Sequence, residues 1–191
     1  MTFGELKNQI RDLGFEEDAT MDETRELVIN ACNRAIDFIN TTIRPIVKPL
    51  TITVPEGLED QTYQTANMTD YAEDFVDFYG KPRFEKDGAY IALSDMEMLA
   101  PTVFQYKTEY APLYVTYKAL PTPITTDTDD DFEIELDKIV QPLIALLASY
   151  YIWLDDDERK ATMYYNQYDD MKNQILGNMA FPKTVKFSGG I

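Results

Sequence analysis

The chain has 191 residues and a mass of 22.0 kDa, which suits one domain or one domain with an insertion. It carries 17 Lys and Arg against 34 Asp and Glu, so its formal net charge is −17 at pH 7. Because nucleic acids and anionic membranes are bound through basic surfaces, this balance argues against both kinds of binding protein. Histidine is absent from the sequence, which removes the usual general base and the commonest metal ligand. We therefore expect a protein that is not an enzyme and needs no cofactor.

Cysteine usage and the apolar stretches bear on the cellular setting. Cys32 is the only cysteine, which excludes an internal disulfide and a cysteine-rich zinc site. The first residues show no basic stretch followed by an apolar run, so no signal peptide is predicted. The longest apolar stretch, around 143–154, is too short to span a bilayer. These features favour a reducing cytoplasm or an assembled particle, with no membrane partner.

Two helices are predicted at the start of the chain. Thr2 and Glu5 fit a capping box, and Gly14 ends the first helix. A second capping pattern at 20–23 opens a long amphipathic helix that Pro45 ends. The apolar positions of the long helix are Leu27, Val28, Ala31, Cys32, Ala35, Phe38, Ile39 and Ile43. Because Cys32 lies on this face, we expect it to be a small core residue.

The next part of the chain, 46–120, changes to the alternation of apolar and polar residues that is typical of strands. Residues 57–74 are polar and weakly patterned, so they are predicted as a long loop. Asp87 and Gly88 form a typical two-residue hairpin turn. The predicted strands cover 46–54, 74–79, 83–86, 89–93, 103–107 and 113–119. We expect a small antiparallel β-module of four to six strands.

Two further helices are predicted after a linker that contains two prolines. The first, at 137–154, is apolar on almost its whole circumference, which indicates the central core helix. Pro142 falls in its first turn, where a missing N–H costs little. The second helix carries tyrosines and is predicted to end at Gly177. Residues 178–191 are then left as an extended tail.

The predicted fold class is α+β, since the chain runs from helices through strands to helices. We expect an antiparallel-packed helical core, made of a long N-terminal helix and two C-terminal helices, with an inserted small antiparallel β-module and an extended C-terminal tail. The predicted domains are a helical core at 1–45 and 121–177, the inserted β-module at 46–120 and the tail at 178–191.

A short acidic segment contains Asp127, Asp129, Asp130 and Asp131. Carboxylates at this spacing are the ligands that Ca²⁺ prefers, but a calcium loop needs Gly at its sixth position and Glu at its twelfth. Neither residue stands at the matching position here. A solvated acidic linker is therefore the favoured interpretation, and no metal site is predicted.

Charge is unevenly distributed along the chain. Seven acids and no base lie between Lys48 and Lys81, and seven more lie between Lys118 and Lys138. After Asp170 every charged residue is a lysine. The last of these lysines lie in a segment in which apolar and basic side chains alternate. Its key residues are Phe181, Lys183, Val185, Lys186 and Phe187.

This terminal segment permits two interpretations. Its β-forming side chains and positive charge suit a strand that adds to a neighbouring protein with an acidic surface, such as another copy of this chain. A frayed terminus fits the same composition. The sequence alone leaves both open.

Five segments of the sequence carry a resemblance to a known family. They are MTFGELK (1–7), NRAI (33–36), IVQPLIALLASYY (139–151), DDDERKA (155–161) and YYNQY (164–168). Together they resemble the head–tail connector proteins of tailed bacteriophages, also called adaptor or head-completion proteins. In that family a hydrophobic helix ends in aspartates, and the next helix opens with alanine and carries tyrosines. The resemblance covers roughly 1–45 and 120–176.

The resemblance implies a structural virion protein that forms a ring of about twelve copies beneath the portal, extends the DNA channel and offers a platform for neck or tail attachment. The implied partners are the portal protein, neighbouring copies and a downstream neck or tail protein, while DNA passes through without specific binding. The implied location is the neck of the virion, reached from the host cytoplasm. The resemblance assigns a contact with the portal or a neighbouring subunit to Phe181, Lys183, Val185, Lys186 and Phe187. It assigns the channel or its rim to Asp127, Asp129, Asp130 and Asp131.

Two other classes of function fit part of the composition. An acidic DNA-mimic inhibitor of a DNA-processing enzyme suits the charge of −17, but its carboxylates should follow one rigid face, and here they gather in loops. An enzyme with paired carboxylates, such as a glycoside hydrolase, suits the tyrosine content, but no cleft is evident in the pattern. The connector is therefore the favoured interpretation.

Overall fold

The structure, a computed structural model, describes residues 1–14 and 25–180. For 179 and 180 it describes the backbone only. The capping pattern predicted at 20–23 and the terminal segment from 181 onward lie outside the described residues.

The chain divides into two compact units. One is formed by Met1–Arg44 together with Thr122–Ile191, and the other is formed by Pro45–Pro121. We call them the helical unit and the β-unit.

The helical unit contains four helices in its described part: α1 (Phe3–Asp12), α2 (Arg25–Thr42), α3 (Pro142–Trp153) and α4 (Glu158–Ala180). The helix nearest the N-terminus is short, with 10 residues, so the expectation of a long N-terminal helix is wrong for α1. The long helix of this half is α2, with 18 described residues. None of the described helices is both long and apolar enough to cross a membrane.

The first helix begins as predicted from its capping box. The Thr2 side chain accepts a hydrogen bond of 3.2 Å from the backbone N–H of Glu5. The Glu5 carboxylate accepts one of 2.9 Å from the backbone N–H of Thr2. These two N–H groups at the start of α1 have no acceptor within the helix, and the capping side chains provide one for each. Gly14, at φ +119°, follows the end of α1 in a backbone conformation that favours glycine.

The core of the helical unit forms around α3, which contacts α1, α2 and α4. A helix that is apolar on every side is stable only when neighbours cover every side. Its buried residues are Leu143, Ile144, Ala145, Leu146, Leu147, Ala148, Ser149 and Ile152. The neighbours contribute Leu6 and Ile10 from α1 and Ile39 from α2, all of them fully buried.

Two predicted helix ends are wrong. The core helix begins at Pro142 and not at Asp137. Residues 138–141 form a turn instead, and the Asp137 side chain accepts 2.9 Å from the N–H of Ile139 there. Ile139 is consequently 50% exposed and does not join the core. At the other end, α4 passes through Gly177 and reaches Ala180. A single glycine costs a helix about 1 kcal/mol, which is too little to end one with 23 residues.

The buried face of α2 is also rotated from the predicted one. Leu27 and Phe38, both predicted to be apolar-face residues, are 44% and 41% exposed. The described residues of α2 that are buried are Val28, Ile29, Ala31, Cys32, Ala35, Ile36, Ile39 and Asn40. The spacing of apolar residues in the sequence therefore predicted the helix correctly. Which of these residues are buried depends on the elements that pack against α2.

The β-unit contains eight strands, so the expected four to six is too few. They are β1 (Ile46–Ile52), β2 (Tyr63–Asn67), β3 (Phe75–Phe78), β4 (Arg83–Lys86), β5 (Ala89–Ala92), β6 (Glu97–Ala100), β7 (Val103–Lys107) and β8 (Leu113–Ala119). All pairs are antiparallel. One sheet has the order β1-β8-β4-β5 with β3 also paired to β8, and the other has the order β2-β7-β6.

The two strands missed by the sequence analysis are β2 and β6. β2 lies inside the predicted loop 57–74. Its side chains alternate between exposed and buried, and the buried ones are Gln64 and Ala66, so its buried face is only partly apolar. Gln64 is buried because its amide donates 2.8 Å to the carbonyl of Leu58. All four side chains of β6 are exposed, so its sequence has no alternation of buried apolar and exposed polar residues that would predict a strand.

The strongest predicted strand, at 113–119, is confirmed, and it lies at the centre of its sheet. β8 pairs with β1 through seven residues, from Ile46 opposite Ala119 to Ile52 opposite Leu113. β1 tolerates Pro49 because it lies at the edge of the sheet, where one side of a strand needs no N–H donor.

The predicted hairpin is confirmed between β4 and β5. Asp87 and Gly88 have positive φ angles of 54° and 78°, as a two-residue turn of this kind requires.

Candidate interaction surfaces

The acidic segment, residues 124–136, is attached to α2 at its beginning. The side chain of Asn33 donates 2.8 Å to the carbonyl of Ile124 and accepts 2.8 Å from the N–H of the same residue. Arg25 donates a further hydrogen bond to the carbonyl of Thr126. Paired hydrogen bonds of this kind satisfy a non-helical backbone that would otherwise stay unpaired. The segment therefore begins as a fixed part of the helical unit.

The middle of the acidic segment lies against the start of α1. The N–H of Phe3 donates 2.9 Å to the carbonyl of Phe132, and the N–H of Gly4 donates 2.8 Å to the carbonyl of Asp130. Lys7 forms an ion pair with the Asp130 carboxylate. These contacts use the N–H groups at a helix start, which have no partner within the helix.

Gly4 permits this approach because it has no side chain. A Cβ atom at this position would lie 3.0 Å from the carbonyl oxygen of Asp130 and 3.1 Å from its Cβ. This glycine had no predicted role. Its position inside the first helical turn, where glycine is unfavourable, was the signal available.

The end of the acidic segment is held by Gln141, which is 7% exposed. Its side-chain amide donates 3.1 Å to the carbonyl of Ile134 and 2.8 Å to the carbonyl of Leu136. Its oxygen accepts 2.8 Å from the amino group of Met1. One buried side chain therefore joins the N-terminal residue, the acidic segment and the start of α3.

Asp127, Asp129, Asp130 and Asp131 all have exposed side chains. Asp130 pairs with Lys7, and the other three make no ion pair with a described residue. In the described ranges no three acidic or thiol side chains converge to hold a metal ion. The segment thus presents carboxylates to solvent from a backbone that α1, α2 and Gln141 fix in place.

The tyrosines of α3 and α4 form a continuous row of rings. Ring centroids are 5.1 Å apart for Tyr151 and Tyr150, 5.2 Å for Tyr150 and Tyr165, and 5.9 Å for Tyr165 and Tyr168. The guanidinium of Arg34 lies 4.0 Å from the centroid of Tyr151 and joins α2 to the row. Their role is to pack helices together.

Tyr168, at the end of the row, is almost fully buried, with 1% of its surface exposed. Burial is the main cause that raises its pKa to about 12, and the neighbouring Tyr165, Tyr151 and Asp169 contribute to the same shift. Its hydroxyl makes no hydrogen bond with a described residue.

Cys32 is fully buried on α2, which confirms the prediction of a core residue. Burial raises the pKa of its thiol to about 12. Because the thiolate is the reactive form of cysteine, this side chain is chemically inert at neutral pH.

A sequence model of the SU10 adaptor protein family matches residues 1–185. The chain belongs to this family. The match confirms the resemblance found in the sequence, and it identifies a bacteriophage head–tail adaptor. The adaptor is accordingly a structural component of the virion that contacts other head or tail proteins. Proteins of this kind are typically not enzymes. No curated protein matches the chain.

The family match covers more of the adaptor than the sequence resemblance did. The resemblance was limited to 1–45 and 120–176, whereas the match continues through the β-unit. The segments that carried the resemblance supply the contacts described above, including Gly4 on α1, Arg34 on α2 and Gln141 before α3. The recognisable motifs are therefore packing motifs of the helical unit.

The adaptor also has a surface patch that the sequence analysis did not single out. The β4–β5 hairpin and the residues just before it carry the exposed bases Lys81, Arg83 and Lys86. Its edge strand exposes 58% of Tyr90 and 42% of Ile91. The signal in the sequence was three bases within six residues of a chain with a charge of −17. We call these five residues the hairpin patch.

The predicted contact residues of the tail, Phe181, Lys183, Val185, Lys186 and Phe187, lie outside the described residues. Their role stays a prediction.

Proposed function

We propose that this adaptor forms a ring of about twelve copies beneath the portal, extends the DNA channel and offers a platform to a neck or tail protein. The observation that carries the proposal is the match to an adaptor family over residues 1–185 of a 191-residue chain. The surface charge supports it, since a chain at −17 repels the phosphates of DNA in transit.

The proposal divides the roles between the parts of the chain. The helical unit is the adaptor core, with the helices packed around α3, and the β-unit is an inserted module. Before assembly the protein lies in the host cytoplasm, and in the virion it lies in the neck. The motifs shared with connector proteins support this division, because all five lie in the helical unit.

The acidic segment faces the channel or its rim in this proposal. Support comes from Asp127, Asp129 and Asp131, whose carboxylates are exposed and make no ion pair with a described residue. A wall that carried bases would bind the phosphate backbone and slow the passage of DNA, whereas a wall of fixed carboxylates does not hold it.

The terminal segment contacts the portal or a neighbouring subunit in this proposal. Support comes from its sequence, in which Phe181, Val185 and Phe187 alternate with Lys183 and Lys186. Such a segment combines apolar contacts with charge attraction to an acidic protein surface.

The direct test is copurification of the full chain with the portal protein, followed by imaging of the neck in purified particles. A ring below the portal is the expected result. If the chain neither binds the portal nor occurs in particles, the proposal is wrong. Inhibition of a DNA-processing enzyme by a chain that ignores the portal would favour a DNA mimic instead.

A truncation tests the terminal segment separately. A chain that stops after Ala180 keeps all four helices and should unfold at an unchanged temperature. We expect it to lose portal binding or ring formation. A second variant, Lys183→Glu with Lys186→Glu, keeps the length and should weaken assembly through charge alone. Normal assembly of the truncated chain would contradict the contact assignment.

A further inference from the structure

The hairpin patch brings three bases together without an acidic partner for any of them among the described residues. Several other bases in the described residues pair with acids: Lys7 forms an ion pair with Asp130, and the ammonium of Lys118 lies 3.1 Å from the carboxylate of Asp77. Lys81, Arg83 and Lys86 make no ion pair with any described residue and are exposed. In a chain with twice as many acids as bases, three neighbouring bases without acidic partners leave an attractive surface for an external anion.

The same hairpin leaves an apolar edge uncovered. β5 is the last strand of its sheet and pairs with β4 alone. All four of its side chains are exposed, among them Tyr90 and Ile91. An exposed apolar edge strand favours association, and proteins normally protect such an edge. Apolar side chains surrounded by charged ones are also the usual composition of a protein–protein interface.

The matching surface exists on the same chain. Asp127, Asp129, Asp131 and Glu133 are exposed and make no ion pair with a described residue. Their backbone is fixed, since α1 binds the carbonyls of Asp130 and Phe132. A surface that is held rigid before binding loses little entropy when it associates.

We propose that the hairpin patch of one copy binds the acidic segment of a neighbouring copy. The contact joins two different surfaces, so it is head-to-tail, and contacts of this type generate rings when their rotation closes. The inference deepens the proposed ring and rests on it, because it names the surfaces that join adjacent subunits. It places the acidic segment at the rim, between neighbouring copies, and not on the wall of the channel. Duplex DNA is the weaker occupant, since Glu85 and Asp87 interrupt the three bases and would repel phosphates.

Cross-linking between isotopically distinct copies tests the contact directly. Full-length protein in natural abundance is mixed with ¹⁵N-labelled protein, allowed to assemble with the portal, and treated with a carbodiimide, which joins amines to carboxylates in contact. We expect peptides that contain Lys81 or Lys86 to be linked to the peptide that contains 127–133, in pairs of mixed isotope. Pairs of a single isotope only, or no such pairs in an assembled ring, would overturn the inference.

Charge reversal with rescue provides the second test. Lys81→Glu with Lys86→Glu should lower ring formation about ten-fold or more. Adding Asp127→Lys with Asp129→Lys to that variant should restore it, because the attraction returns with opposite signs. The matched control is Lys138→Glu with Arg159→Glu, which changes the charge by the same amount at two other exposed bases without ion pairs among the described residues. Unchanged unfolding temperatures confirm that all variants fold.

The possible failures are distinguishable. If the hairpin variant binds the portal and assembles like the control, this inference is wrong and the proposed function stands. If the unmodified chain fails to bind the portal, the proposed function is wrong. If the hairpin variant loses affinity for a short DNA duplex while its ring formation is unchanged, the patch serves DNA and the inference is again wrong.

Discussion

The N–H of Gly4 donates a hydrogen bond of 2.8 Å to the carbonyl oxygen of Asp130, and any Cβ at position 4 would lie 3.0 Å from that oxygen. This single contact joins the first turn of α1 to the middle of the acidic segment. It explains why a glycine occupies a helical position where alanine would otherwise be favoured.

Gly4→Val should therefore destabilise the helical unit. The branched side chain forces the backbone of Asp130 away and strains the hydrogen bond, at a cost of about 1–3 kcal/mol. Gly177→Val is the matched control, because a Cβ at Gly177 meets no atom within 4 Å. Chemical denaturation measures both free energies of unfolding. Equal effects of the two substitutions would contradict the packing role of Gly4.

Gln141→Leu should cost about 2–4 kcal/mol of stability. The substitution leaves the carbonyls of Ile134 and Leu136 without their donor in a buried place, and the amino group of Met1 loses its acceptor. Gln167→Leu, on the exposed face of α4, is the control and should change stability by less than about 0.5 kcal/mol. Denaturation of both variants tests the difference, and a mild effect at position 141 would show that the three hydrogen bonds are dispensable.

Asp74 should make the stability of the β-unit depend on pH. Burial acts to raise the pKa of its carboxyl, but hydrogen bonds from Lys48 at 2.8 Å and from Tyr117 at 2.9 Å outweigh burial and hold the pKa below its ordinary value of 3.8. A pKa depressed by folding stabilises the protein above the unfolded pKa, and this stabilisation is lost as the pH falls through the folded pKa.

Asp74→Asn should accordingly destabilise the protein by about 1–2 kcal/mol at pH 7. The difference from the unmodified chain should shrink as the pH falls from 5 towards 2. Denaturation curves at these pH values measure it. Asp60→Asn, at an exposed site, serves as the control and should show no such convergence. A difference that stays constant with pH would mean that the charge of Asp74 contributes nothing.

Tyr168→Phe should leave the fold intact and raise its stability by up to about 1 kcal/mol at pH 7, since a buried hydroxyl without a hydrogen bond to a described residue is removed. Tyr117→Phe, which loses the hydrogen bond to Asp74, should instead destabilise by about 1 kcal/mol. Opposite signs for the two variants are the expected result. A large destabilisation by Tyr168→Phe would reveal a partner for the hydroxyl.

The same substitution tests the high pKa of Tyr168. Folding raises this pKa from an ordinary value of about 10 to about 12. Ionisation of this phenol therefore leaves the free energy of unfolding unchanged below a pH of about 10 and lowers it as the pH rises through about 12. Between pH 9 and 12 the unmodified protein should lose more stability than Tyr168→Phe. Parallel losses would indicate an ordinary phenol.

Sequence periodicity found the elements with one clear apolar pattern and missed the others. The capping box at Thr2, the turn at Asp87 and Gly88, and the alternating strand at 113–119 each rest on neighbouring residues, so local rules predicted them. β2 and β6 escaped because their side chains do not alternate between apolar and polar. Each is a strand because β7 provides backbone partners.

The sequence by itself determined the composition of the surface, the α+β class and the family, since charge, local pattern and packing motifs are properties of the chain order. Only the tertiary structure decided which polar and charged groups have a partner within the chain and which remain exposed for contact with another protein. Gly4 and Gln141 acquire their roles from Asp130 and Met1, each more than a hundred residues away along the chain. The bases of the hairpin patch stand out because the fold brings three of them together without an acidic partner among the described residues. Hydrogen bonds and ion pairs act over a few ångströms in space, and distance along the chain does not reveal them.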